Sequence, residues 1–503
     1  MTPSISIKIL KAFFIILLVS FSLYFFTDNK VDPDLWGHLK FGQDIFEKHH
    51  ILKYDIYSYS SPGARWINHE WLSELAFYTV FTLAGGTGLL ALKFLVGLAV
   101  AFLIYITVSG DTKSFFLKLL FLMLPLSVIS YGFATRPQIF TYLFFAALVF
   151  LIDRFKRTGQ SKWLYPLPAV FFIWCNMHGG FVAGLAVLAA YCLASFHDQR
   201  EMKSLAFFAL LSLAVTLINP NGAALWTFML RTLSGPRPYL PEWGRVTLST
   251  YYIDYFVCLF AAFMGIAFSK IKRNTCEIAI LSGAVLVSFL QNRHIVLFAI
   301  LFSMYVPKYM DSFAGDFFLA REKKLRDMFY AAVLLCISLV FSAGALYAGK
   351  TDPARIEIPR EKYPVNAVYF MKENGINGNI FCFFDWAEYC IWELSPSSKV
   401  FFDGRYRTVY SEDLIEGYFA VLYGGKDYAD FLNRYPETDI MLLHTYNPLA
   451  MKLSQDRKWI LVYASPVAKL FLRVDSKNKD VTKRFVSGEL EYKKLNGPFY
   501  LEK

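Results

Sequence analysis

Through the first 349 positions the chain alternates long apolar runs with short polar connections, and after that the pattern breaks up into short stretches of mixed period. Runs of about 17 to 25 apolar residues cross a hydrocarbon core of roughly 30 Å as helices. The pattern predicts about eleven such spans, at 7–26, 87–109, 115–131, 137–153, 163–176, 179–196, 203–219, 250–268, 276–291, 293–310 and 325–349. Segments 163–176 and 179–196 are short for two full crossings, which fits a re-entrant or tightly hinged arrangement. No small-residue cleavage site follows the first run, so it reads as a retained signal anchor.

Residues 350–503 predict a different architecture. "PVNAVYFMKENG", "DWAEYCIWEL", "KDYADFLNRY" and "NPLAMKLSQDRK" read as helices, whereas "GNIFCFF", "KVFFDGR", "TDIMLLH", "WILVYAS" and "VAKLFLR" read as strands. That alternation predicts a small α/β domain with a mainly parallel sheet. The expected fold is therefore a polytopic α-helical membrane domain over 1–349, with a long first loop at 27–72, and a soluble α/β domain over 350–503.

Composition agrees, since the 503 residues are 56% hydrophobic and only 18% charged. A net charge of +11 raises the question of nucleic acid, but the basic residues fall in short connections, where they signal topology. Lys8, Lys11, Lys113, Arg154, Lys156, Arg157, Lys162, Arg200, Lys203, Lys270, Lys272, Arg273, Lys308, Arg321, Lys323, Lys324 and Arg326 all lie on one set of alternate connections. The short connections of the other set hold only Arg136 and Arg293. This asymmetry predicts a cytoplasmic N-terminus and, with an odd span number, residues 350–503 on the periplasmic or extracellular face of a bacterial inner membrane. Five of the seven cysteines lie in apolar runs and read as small hydrophobes. Cys382 and Cys390 fit either a bridge or two unpaired thiols.

The polar clusters not explained by topology fall on the predicted outer side. They are "DPDLWGHL" (Asp32, Asp34, His38), "GARWINHEWLSE" (His69, Glu70), "YGFATRPQ" (Arg136), "NMHGG" (His178), "NPNG" with "PEWGRV" (Glu242, Arg245), and "QNRH" (Arg293, His294). Ionisable groups at a membrane surface are costly without a role or a partner. Each cluster also has a structural explanation: Asp34 as a helix N-cap, Pro137 as a helix start with Arg136 reaching headgroups, and "NPNG" as a turn. Taken together, the acids suit a general base for an acceptor hydroxyl, and Arg136, His178, Arg245, Arg293 and His294 suit an anionic phosphate leaving group. Asp32 and Asp34 divide the base and capping roles. An acid facing cations across a single outer pocket is the arrangement this chemistry requires. His38, His69, Glu70, Asp32 and Asp34 include enough donors for a divalent ion, Mg²⁺ or Mn²⁺ if oxygen dominates, but no spacing sets them on one helical face, so the metal stays open.

These motifs carry a resemblance. Many spans, a long first loop with "DPD", an amphipathic helix at about 71–84 and a C-terminal soluble domain are similar to the GT-C superfamily of multispan glycosyltransferases. The ordered set "DPDLWGHL", "NHEWLSE", "TRPQIF", "NMHGG", "NPNG" and "FFDGRYRTVY" resembles a bacterial group within it, across nearly the whole chain. The resemblance implies a polyprenyl-phosphate-linked sugar donor, a membrane lipid environment, and an acceptor that is a glycan, lipid or protein. It also implies that Asp34, with Asp32 beside it, is a base or a metal ligand. In the C-terminal domain, Asp385, Asp403 and Arg405 lie at strand ends, where acceptor recognition or docking on the membrane part is expected. No phosphate-binding glycine loop is present, which argues against a nucleotide-sugar donor. The rival readings are a transporter or flippase, and a scaffold. Transporters place charges near the midplane, whereas the clear intraspan charge here is Lys93, close enough to a span end to snorkel.

Overall fold

The computed structural model describes residues 3–233, 237–322, 327–347, 352–490 and 492–502. The predicted span 325–349 runs past the described residues at both ends, and Lys323, Lys324 and Arg326 also lie outside them. The chain forms two compact units, one of 1–29, 89–223 and 234–354, the other of 30–88, 224–233 and 355–503. Packing therefore divides the chain differently from hydropathy, because the first long loop and the helix Ala224–Leu233 share a core with the C-terminal residues.

The first unit is helical. Three helices among the described residues are long and apolar enough to span a membrane: Trp71–Asp111, of which the part before Leu89 belongs to the second unit, Gln138–Thr158 and Thr250–Ala267. Asn292–Tyr305 and Pro307–Glu322 together add a fourth if counted as one span bent by 53°. Ala12–Phe26, Phe115–Ser130, Phe181–Ala194, Thr275–Leu290 and Ala332–Tyr347 are apolar but shorter. The expected number of about eleven thus includes segments that do not reach full spanning length as single helices. Pro307 has no backbone N–H to continue the Ile295–Tyr305 helix, so the predicted 293–310 run is broken there.

Residue choice along these helices separates interior from lipid. Ile295–Tyr305 is buried at every position but one, and Phe302 packs on Phe121 with ring centroids 5.1 Å apart. On Ile253–Ala267, by contrast, Phe260 and Phe263 stay 64% exposed, as befits side chains meeting acyl chains rather than water. Lys93 departs from the snorkelling expectation: it is 2% exposed, and its Nζ donates to the Asp28 carbonyl at 2.7 Å. Burial is tolerated because a buried donor that finds an acceptor escapes most of its desolvation cost.

The second unit holds seven strands among its described residues: β1 (Glu357–Ile358), β2 (Asn379–Cys382), β3 (Lys399–Val400), β4 (Ile440–His444), β5 (Trp459–Ala464), β6 (Ala468–Arg473) and β7 (Phe499–Tyr500). Five of them form one sheet in the order β3-β2-β4-β6-β5. β2 is parallel to β3 and β4, but β4–β6 and β5–β6 are antiparallel, so the sheet is mixed rather than mainly parallel. The three residues between β5 and β6 leave no room for a crossover, and only a hairpin closes so short a connection. Helices Glu412–Leu422 and Lys479–Val486 add to the four that the pattern predicts. Cys382 and Cys390 are both buried and free.

Around the sheet, the first long loop contributes the helix Leu35–Lys48 and, from Trp71, a helix interrupted at Gly85 (φ 61°, ψ −153°). The break separates the amphipathic helix expected at about 71–84 from the apolar run after it.

Candidate active site

In the second unit the Leu35–Lys48 helix begins at Asp34, which stands at the N-cap position without making a side-chain capping bond. Asp32 supports the turn instead, its Oδ1 accepting the Asp34 N–H at 3.0 Å. Pro33 between them fixes the backbone and holds the turn in register. The capping explanation of Asp34 thus holds for the backbone but not for the carboxylate.

Close beside it lies Glu388, from the helix Ala387–Leu394, with Oε2 accepting the Gly37 N–H at 3.2 Å. A Cβ at Gly37 or Gly404 would meet the Glu388 carboxyl closer than contact distance, and the one at Gly404 would also lie 3.3 Å from Asp34 Oδ1. Burial pushes the Glu388 carboxyl well above the usual range, and the charges of Asp34 and Asp403 push it further, against Arg405 and the Gly37 N–H. Asp385 is exposed, and its charge acts, with those of Asp32 and Asp34, on the buried hydroxyl of Tyr363, which burial pushes up. Asp32, Asp34, Asp385 and Glu388 therefore belong to one acidic neighbourhood.

Asp403 and Arg405 are interior groups. The Arg405 guanidinium binds Asp403 in a fork (Nε 2.9 Å, Nη2 2.7 Å) and meets Asp55 Oδ1 at 2.6 Å through Nη1. The rings of Phe41, Tyr57 and Trp66, all from the first loop, lie 5.5, 5.1 and 5.0 Å from Arg405 Cζ. With its side chain 3% exposed, Arg405 locks the first loop to the sheet.

His38 sits one turn after Asp34, with Nδ1 3.7 Å from Glu74 Oε1, while Asn68 donates to Glu74 Oε2 at 2.6 Å. Burial alone would lower the His38 pKa, but Glu74, Glu70 and Asp34 outweigh it and hold it above its ordinary 6.5. The protonated ring therefore contributes stability that is complete below 6.5 and lost as pH rises through the folded value. His38→Gln is expected to lower the melting temperature more at about pH 6 than at about pH 8. Equal losses at the two pH values, by calorimetry, would remove the charge from this contact. His69 lies 3.7 Å from Glu70 Oε1 and packs its ring on Phe228 at 5.1 Å.

The cationic candidates belong to the first unit. Glu242, in the turn Pro241–Trp243, accepts from Arg136 Nη1 at 3.0 Å and from Arg293 Nη1 at 3.4 Å. The Trp243 ring lies between two guanidinium groups, Arg237 at 3.9 Å and Arg293 at 4.7 Å. Burial alone would raise the Glu242 pKa, but Arg293, Arg136, Arg237 and His178 hold it below the usual carboxylate range. Three arginines thus gather round one carboxylate.

His178 Nδ1 accepts the Gly180 N–H at 3.0 Å and lies 2.8 Å from Thr141 Oγ1, itself the acceptor for Trp174 Nε1 at 2.8 Å. His294 Nε2 pairs with Gln291 Oε1 at 3.1 Å, and Arg245 is exposed two residues beyond Trp243. In "NPNG", the Asn219 side-chain Oδ1 accepts the Asn221 N–H at 2.8 Å and Gly222 takes φ +54°, so this motif is a turn.

The structure brings Asp32, Asp34 and His38 into one unit with Asp385, Asp403 and Arg405, and Arg136, His178 and Arg293 into the other. Glu388, Asp55, Arg237 and Trp243 were not singled out from the sequence. A lone glutamate on the apolar face of "AEYCIWEL" was the available signal for the first; the others carry none beyond their residue type. Among the described residues no three His, Cys, Asp or Glu side chains converge closely enough to hold a metal ion, so the donor set does not make a metal cage.

The chain shares its fold with an archaeal oligosaccharyltransferase and with ArnT. The chain is similar to the oligosaccharyltransferase AglB of Archaeoglobus fulgidus, solved with an inhibitory peptide and a dolichol-phosphate, at TM-score 0.57 and 12% identity, over 94% of this chain and 74% of that one. It is also similar to ArnT of Cupriavidus metallidurans, solved with undecaprenyl phosphate, at TM-score 0.52 and 11% identity, over 95% and 99% of the two chains. No family model matches the sequence, and no curated protein matches it in sequence.

Proposed function

We propose that this protein transfers a sugar from a polyprenyl-phosphate-linked donor to an acceptor at the outer face of a bacterial inner membrane. The acceptor hydroxyl attacks the anomeric carbon as Asp34 takes its proton, and the bond from that carbon to the phosphate oxygen breaks. Polyprenyl phosphate leaves with the electron pair; a lipid-linked phosphate is the anion that Arg136, Arg237 and Arg293 of the first unit are suited to bind. Asp32 acts through the backbone of Asp34 rather than on substrate. The lysine and arginine asymmetry supports an N-terminus in the cytoplasm and residues 350–503 outside.

The observation that carries this reading is the gathering of three guanidinium groups round a single carboxylate in the unit that holds the apolar helices. Arginine forks match phosphate oxygens, so a cluster of them suits an anion. Arg293→Ala is expected to weaken binding of undecaprenyl phosphate by about tenfold or more, as the loss of a charge-assisted contact of roughly 1.5–3 kcal/mol requires. Titration of the detergent-solubilised chain, read by native mass spectrometry, measures it. Binding equal to wild type would remove the phosphate assignment.

A further inference from the structure

Glu242 occupies the arginines in a way that a phosphate could imitate. Its Oε2 accepts from Arg136 at 3.0 Å and its Oε1 from Arg293 at 3.4 Å. Its side chain is 37% exposed, against 21% for Arg136 and 23% for Arg293, so it is the reachable member of the cluster. Ion pairs of partly exposed groups are weak and exchange readily. Meanwhile Arg237 and Arg293 are held on the Trp243 indole, and the indole N–H is buried with no hydrogen-bond partner. A phosphate carries more acceptor oxygens and more charge than a carboxylate.

We infer that Glu242 is a built-in counter-ion that holds Arg136 and Arg293 until the donor's phosphate displaces it, and that competes with the spent lipid phosphate so that it leaves. This rests on the phosphate reading proposed above and adds a regulatory residue to it. The arginines hold Glu242 ionised, so it competes as a full charge. An anion site with its own competing carboxylate gives up some affinity to speed release, which matters when product departure limits turnover.

The test titrates the full chain in detergent with undecaprenyl phosphate, comparing wild type with Glu242→Gln, Glu242→Ala and Arg293→Ala, each checked by thermal melting. Both Glu242 variants are expected to bind about tenfold more tightly, the change that one lost competing charge gives. In a transfer assay they lower KM and kcat together, because product is retained. Equal or weaker binding in a folded Glu242 variant overturns the inference, and the Ala variant answers if the Gln variant does not fold. Loss of binding in Arg293→Ala without a gain in the Glu242 variants leaves the phosphate reading standing and removes only the counter-ion. Unchanged binding in Arg293→Ala removes both.

Discussion

Asp34→Asn is expected to lower sugar transfer by roughly 10²–10⁴-fold, the contribution of a positioned general base, while expression and melting temperature stay near wild type. Asparagine is nearly isosteric and cannot take a proton, so a base is lost without a cavity. The fold should tolerate it because the Asp34 side chain makes no capping bond, and the Asp32 contact uses the Asp34 backbone N–H, which asparagine retains. Binding of undecaprenyl phosphate should also persist, since Arg136, Arg237 and Arg293 are unchanged. A radiolabelled lipid-linked sugar that the wild type consumes provides the assay. Wild-type turnover in the variant, with intact folding, would end the base assignment.

The second large effect is on stability. Arg405→Ala leaves Asp403 and Asp55 buried without their cation, and breaking a buried pair from one side costs about 3–5 kcal/mol. The Ala variant also empties the space among Phe41, Tyr57 and Trp66. Arg405→Lys is expected to rescue only part of this, because an ammonium cannot bind Asp403 through two nitrogens and reach Asp55 at once. Denaturant unfolding of the purified chain measures both variants. A loss below about 1 kcal/mol, the range of exposed pairs, would mean that Arg405 does not lock the loop. Where the loss is the expected ~3–5 kcal/mol, reduced transfer in Arg405→Lys follows from a loosened Leu35–Lys48 helix, not from lost acceptor contact.

Much of the secondary structure was legible because it depends on local period. Apolar runs marked helices with lipid-facing residues such as Phe260 and Phe263, and β2 to β6 were all visible as short apolar stretches. Sheet direction was less legible. β5 and β6 look like any two strands until the length of their connection is allowed to decide the pairing. Span length was also overread, since a hydropathy window sums composition and does not register the break before Pro307.

The candidate site divides in the same way. Asp32, Asp34, Arg136, His178 and Arg293 were recognisable because charged residues beside apolar runs are expensive and therefore informative. Arg405 was visible as a residue but not as a lock, because its partner Asp55 and its aromatic neighbours lie about 340 to 365 positions earlier in the chain. Glu388 was hidden in an apolar helix for the same reason. What the sequence determined by itself was membrane insertion, the local elements and the kinds of chemical group on offer, since each depends on neighbours within one or two turns. Which carboxylate meets which guanidinium, that Asp34 stands beside Glu388, and that the first loop shares a core with residues 355–503 were decided only by tertiary packing, where burial forces each ionised group to find a partner from a distant part of the chain.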